Sequence, residues 1–253
     1  MSTLPFFVDE QFKMKPGLIP FNAEDLAKEN WLEDKSLPRF HETKLAMLNR
    51  RLPISRPGID LQALDRELEF ARSVFGMSND VWDFYMRLEL NADFALLEPT
   101  DDKQVRLAYS AVAWPSGWNP KEKLGMTFYD IHVDVPEFNA AKNLKVSQTM
   151  SQVLLSKPWR RYVWTLTQSP SYNQEPSTKA PNVDYLFYRV EVQTTIPTPG
   201  GWVLFIIQVW MEELANLQPE QISLVKTSIN SMSEAVLEYK RLHAVKEILN
   251  AKY

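Results

Sequence analysis

Cysteine is absent from the 253-residue sequence, and glycine and histidine are scarce, at 7 and 3 residues. Without cysteine the chain forms no disulfide, carries no catalytic thiol, and cannot by itself hold zinc or an iron–sulfur cluster through thiolates. The same absence fits a reducing, cytoplasmic location. Neither GxGxxG nor GxxxxGK[ST] occurs, which sets aside nucleotide binding by the common phosphate loops. There is no GxSxG elbow, and His41, His132 and His243 are the only histidines available to a Ser-His-Asp triad, so a serine hydrolase has little support. A basic excess is missing as well: 28 basic against 32 acidic residues leave a formal charge of −4, which argues against a nucleic-acid groove. The most apolar run, residues 201–211, is interrupted by Gln208 and falls far short of the roughly 20 residues that span a bilayer. The first fifteen residues, MSTLPFFVDEQFKMK, lack the basic region and long apolar run of a secretory signal. A soluble protein without a membrane span is expected.

What is present is a core-forming composition, 45% hydrophobic and 12% aromatic. No repeat, low-complexity tract or domain boundary stands out, so residues 1–253 read as a single domain. Residues 1–90 read as a mainly helical arm. Proline is frequent in residues 1–60, Leu45, Leu48 and Leu52 follow helical spacing near residues 40–51, and a second short helix is expected near 79–88. Leu61, Leu64, Leu68, Ala71 and Phe75 recur at steps of three and four, predicting an amphipathic helix opened by Asp60 and closed near Gly76. After residue 90 the period changes to that of strands. Residues 94–98 and 105–114 flank the turn sequence PTDD, residues 185–196 and 202–210 flank PTPGG, and residues 160–167 form a further strand. Residues 119–125 read as a short helix capped by Asn119-Pro120, 137–155 as a longer helix, and 219–243 as one long closing helix. The expected fold is α+β, an antiparallel sheet with flanking helices and a helical N-terminal extension.

The stretch 114–136, WPSGWNPKEKLGMTFYDIHVDVP, combines three prolines, two glycines and two tryptophans with His132. Two functional readings of His132 stand beside a purely structural one, in which the stretch is a turn-rich connection with its aromatics in the core. If residues 131–135 are extended, Asp130, His132 and Asp134 share one face at about 7 Å steps. His132-Val-Asp134 then forms the HxD half of a non-haem iron site, with His243 as a third ligand. Alternatively His132 is the single axial ligand of a haem iron, in a pocket drawn from Trp114, Trp118, Phe128, Tyr129, Trp164 and Trp210. Arg161 and Arg189 lie in otherwise apolar strands, beside Trp164 and Glu191. They belong either to an exposed sheet face or to a fork on a buried carboxylate such as a haem propionate, and Glu191 is placed to be Arg189's own partner.

Trp114-Pro-Ser-Gly-Trp118, Glu122-Lys-Leu-Gly125 and Ile131-His-Val-Asp-Val-Pro136, taken in order, resemble the family of haem-dependent oxidative N-demethylases, which is related to dimethylamine monooxygenase. Further blocks agree in order and spacing: Lys15-Pro-Gly-Leu18, Ala95-Leu-Leu-Glu-Pro99, Arg161 with Trp164, Arg189-Val-Glu191 with Gln193-Thr194, and Val203-Leu-Phe205. The resemblance covers roughly residues 12–242. It implies a PAS-like antiparallel sheet binding haem b, with His132 on the iron and Arg161, Trp164, Arg189 and Glu191 around the cofactor. It also implies O2 activation and oxidation of the carbon next to nitrogen in a small amine-like substrate. Electrons would come from an external flavin or iron–sulfur donor, a redox partner protein, since this chain has neither cysteine nor a dinucleotide loop.

The sequence departs from the family's pattern at a few positions. Val163 stands where the family usually has Asn, Val192 and Gln208 stand where it tends to Arg, and Asn91-Ala92 replace an acidic pair. A PAS-like haem-binding or sensor subunit without turnover is therefore the runner-up, with the non-haem iron oxygenase third.

Overall fold

A computed structural model describes residues 4–26, 28–29, 31, 53–77, 90–136, 144–175 and 185–253. The helices expected at 40–51 and 79–88, and the beginning of the one expected at 137–155, lie outside the described residues. Among the described residues, seven strands form one antiparallel sheet: β1 (Ile19–Pro20), β2 (Ile54–Ser55), β3 (Asp93–Pro99), β4 (Val105–Ala111), β5 (Trp159–Thr167), β6 (Phe187–Pro197) and β7 (Val203–Glu213), in the order β1-β5-β6-β7-β3-β4-β2. The two expected hairpins are the β3–β4 and β6–β7 pairs. Lys103 (φ +66°) and Gly201 (φ +84°) take the left-handed turn positions, and Thr100 and Thr198 accept the closing backbone bonds from Lys103 and Gly201. The arm supplies β1 and β2, two residues each, at opposite edges, where they cover part of the unpaired backbone of β5 and β4.

Helix α1 (Ala23–Leu26) is short, and α2 (Leu61–Phe75) is the amphipathic helix expected from periodicity. The Asp60 carboxylate accepts the Gln62 and Ala63 N–H groups, and Gly76 ends α2 at φ +69°. After β4 come α3 (Pro120–Lys123), α4 (Phe128–His132) and α5 (Leu144–Ser156). The chain closes with α6 (Pro219–Asn230), α7 (Glu234–Lys240) and α8 (His243–Lys252). Among the described residues, no helix is long and apolar enough to cross a membrane.

The closing segment corrects the expectation of one helix over 219–243. Ser231 ends α6 by donating its N–H to Thr227 and Ser228, Ser233 is extended, and Glu234 opens α7. Apolar spacing hides the break because Val225, Ile229, Met232 and Val236 all enter the same core. What it could not report was the local preference of the Asn-Ser-Met-Ser run for caps over helix interior.

Side-chain alternation gives the sheet two different faces. Phe94, Leu96, Leu204 and Ile206 pack under α2, while Trp164, Tyr188 and Val190 on the same side pack under α6, α7, α8 and the N-terminal arm. On the other side, α5 and Phe128 cover Leu97, Val105 and Val203, and the 112–118 segment with Tyr172 covers Ile207 and Val209. That second face carries Arg161, Arg189, Glu191 and Gln193.

Candidate functional site

Register sets three cross-strand rungs on the second face: Arg161–Gln193–Ile207, Val163–Glu191–Val209 and Thr165–Arg189–Met211. Directly opposed residues of antiparallel strands point the same way. Arg189, only 1% exposed, donates from Nη1 to Glu191 Oε1 at 2.6 Å and from Nη2 to the Trp114 carbonyl at 2.9 Å. Gln193 Nε2 donates to the other Glu191 oxygen at 2.6 Å. The Trp114 N–H is donated to Asp93 Oδ2 at 2.7 Å, so both backbone groups of Trp114 are fixed by buried charges. Its ring packs on Tyr172 at 5.3 Å. The stretch 114–136 is thereby anchored at its first residue.

From there Asn119 caps α3 by accepting the Lys121 N–H at 2.9 Å, and Gly125 (φ +82°) donates to the Leu107 carbonyl. Thr127 and Asp130 exchange side-chain and backbone hydrogen bonds in a capping box that opens α4. This corrects the extended reading of residues 131–135. Asp130 is engaged in the box, His132 is the last residue of α4, and the alternation that would align Asp130, His132 and Asp134 on one face does not exist. His243 lies elsewhere, beside Glu234 and Glu238 at the α7–α8 junction. Among the described residues no three His, Cys, Asp or Glu side chains gather as a metal-ligand group.

His132 is half-buried on the second face. Its Nδ1 lies 2.7 Å from the Phe128 carbonyl, and its ring stacks on Phe128 at 4.1 Å. A carbonyl only accepts, so Nδ1 carries the proton and the lone pair sits on Nε2. Burial lowers its pKa to about 4, against the opposing pull of the Phe128 carbonyl, and the Arg161 and Lys123 charges push it the same way as burial. The ring is neutral at pH 7.

Arg161 makes no hydrogen bond or ion pair among the described residues, although burial depresses its proton affinity while Glu191 and Tyr239 favour its charge. Lys240 Nζ donates to the Trp164 carbonyl at 3.1 Å. Burial brings the Lys240 pKa down to about 8, with Glu191 opposing and Arg161 reinforcing the drop. Arg161, Arg189 and Lys240 thus share one carboxylate, Glu191, whose oxygens Arg189 and Gln193 already occupy. Asp134 acts with Arg161 on the neighbouring Tyr239 phenol, so the region gathers three cations and two carboxylates next to a neutral imidazole.

Of the five residues expected around a cofactor, the structure brings His132, Arg161, Arg189 and Glu191 to this face and places Trp164 on the opposite one, against Tyr188 and Phe12. Val192 and Gln208 pair directly with each other on the Trp164 side, while Val163 stands on the site face. Lys240 and Tyr239 were missed in the sequence because a single long helix gave no reason to bring them to β5. The only local signal was the Ser-rich break before α7.

No curated protein matches the sequence. Residues 63–250 match the model of the family described as haem-dependent oxidative N-demethylase, alpha subunit-like, and the chain belongs to that family.

Proposed function

We propose that this chain is the haem b-binding subunit of a monooxygenase that oxidises a small amine or related nitrogen compound by oxidative N-dealkylation, with His132 as the residue that would hold the iron. The observation that carries the reading is the His132 ring: Nδ1–H is held by the Phe128 carbonyl and the imidazole is kept neutral. An iron-ligating imidazole needs that charge state and a second partner fixing its tautomer. Arg161, a half-buried guanidinium without a partner among the described residues, suits a haem propionate. A haem bound here supplies O2 activation and oxidation of a C–H bond next to nitrogen.

The chain's own residues orient and enclose. Arg189, Glu191 and Gln193 act as a unit that holds the Trp114 carbonyl, and with it the start of the segment leading to α4. Val163, Val209 and Met211 give this face an apolar surface that excludes water. Trp164 contributes from behind the sheet, through the carbonyl that receives Lys240. A cysteine-free chain leaves electron delivery to a flavin or iron–sulfur partner, and the alpha-subunit-like family supports a partner subunit. The run β4-β3-β7-β6-β5, with α3, α4 and α5 inserted over one face, supports a PAS-like description. The absence of cysteine supports a cytoplasmic location.

The test is optical. Protein reconstituted with haem is expected to show a Soret band that shifts on reduction and on CO binding, and His132→Ala is expected to lose it while remaining folded. A protein that stays colourless after reconstitution refutes the proposal. A normal Soret band without substrate-dependent O2 consumption, given reductant and a competent donor, assigns the chain to haem sensing instead.

A further inference from the structure

We infer that Arg161 and Lys240 together form a two-cation site for a carboxylate at the edge of β5. Lys240 ends α7, where Arg241 turns left-handed (φ +55°) and donates its N–H to Leu237 and Glu238. This sets the Lys240 stem against the edge strand, with Nζ on the Trp164 carbonyl at 3.1 Å and 5.5 Å from the centre of the Phe12 ring. One ammonium hydrogen is used by that carbonyl, and among the described residues no acceptor takes the other two. Arg161 precedes Trp164 by three residues on the same strand, about 10 Å between α-carbons. Both long side chains can close that span around one small anion.

Neither nearby carboxylate is a substitute: Asp134 acts on Tyr239 beside Lys240 but makes no ion pair with either cation among the described residues. Glu191 acts electrostatically on both cations, yet its oxygens already accept from Arg189 and Gln193. Arg161 and Lys240 also disfavour each other's charge, since Arg161 lowers the proton affinity of Lys240. Two half-buried cations held together with donors to spare describe a site completed by an acid group from outside the chain. The chemistry is that of a carboxylate, and it has two sources: a propionate of haem, or an acid group on the nitrogen compound being oxidised. Only this choice of source rests on the haem reading; the cation pair does not.

The experiment titrates the colourless protein with sodium propionate, with sodium chloride as control, following backbone amide shifts by NMR. Saturable propionate binding is expected, weakened roughly tenfold by Lys240→Met or by Arg161→Gln, as loss of one charge-assisted bond implies. Lys240→Arg should restore most of it. Propionate binding no better than chloride, or unchanged in both variants, overturns the inference. Thermal melting checks that each variant folds, and Lys240→Gln replaces Lys240→Met if the latter does not.

A second arm compares haem with its dimethyl ester. Weaker binding of the ester by the wild type, but not by Lys240→Met, assigns the site to a propionate. Equal binding of the two haems, with N-methylglycine displacing propionate, assigns it to the substrate. Failure to bind either haem removes the haem reading and leaves the propionate result intact.

Discussion

Glu191→Gln distinguishes a structural clamp from a fork waiting for a ligand. Arg189 is 1% exposed, and its charge is met by Glu191 at 2.6 Å, with the Trp114 carbonyl as second acceptor. Gln keeps the volume of Glu, so no cavity is made, but it leaves the guanidinium without a counter-charge and turns an amide donor toward the Gln193 amide. Removing one partner of such a buried pair costs about 3–5 kcal/mol. For a chain of this size, about 2–4 °C per kcal/mol converts this to a fall of about 6–20 °C in Tm. The double variant Arg189→Met/Glu191→Leu removes both charges and is expected to recover much of that loss. Circular dichroism melts and urea midpoints of wild type, single and double variants measure the cycle. A single variant within about 1 kcal/mol of wild type, or a double variant less stable than the single, refutes the clamp and returns Arg189 to the ligand.

Three further outcomes follow from particular contacts. Thr127→Ala breaks the capping box that opens α4 and is expected to cost about 1 kcal/mol in denaturant unfolding, with loosened haem or probe binding at His132 as the local readout. Gly200→Ala would drive its Cβ into the buried Glu67 carboxylate, so a clear loss of Tm is expected, relieved when Glu67→Ala is added. Propionate affinity should fall as pH rises through about 8, the pKa to which burial brings Lys240. The ammonium is present below that value and lost above it, and a bound carboxylate moves the fall to higher pH; Lys240→Met should give a flat profile.

What could be read from the sequence was what local chemistry brackets. Asp60 and Gly76 mark both ends of α2, and PTDD and PTPGG mark two hairpins, because caps and turns are decided by neighbours in sequence. The partnership of Arg189 with Glu191 was readable for the same reason, as two residues on one face of one strand. The alternation Asp130-Ile-His-Val-Asp134 misled because the Thr127–Asp130 box, beginning three residues earlier, decides the backbone there. The Asp93 bond to Trp114 spans 21 positions and the Lys240 bond to Trp164 spans 76, so neither leaves a local pattern. The edge-covering pairs of β1 and β2 are two residues long, too short for any period to register. The arm that supplies them precedes residue 63, where the family match begins.

The same register bears on whether the family's chemistry is retained. Val192 and Gln208, two of the departures from the pattern the sequence resembles, are direct partners across β6 and β7 and align with Tyr162, on the face occupied by the arm and closing helices. A Val–Gln pair there bears on what the sheet packs against, not on what His132 faces. Val163 is different: it stands opposite Glu191 and two residues from Arg161, on the site face. Val163→Asn places a half-buried amide beside a carboxylate whose oxygens are already engaged, an expected cost of about 1 kcal/mol. If Val163 sets which nitrogen compound is accepted, that variant should change the substrate range with the haem spectrum unaltered, whereas Val192→Arg should change stability alone. A shift in substrate range with Val192→Arg and none with Val163→Asn would place the substrate on the other side of the sheet and refute the assignment of this face.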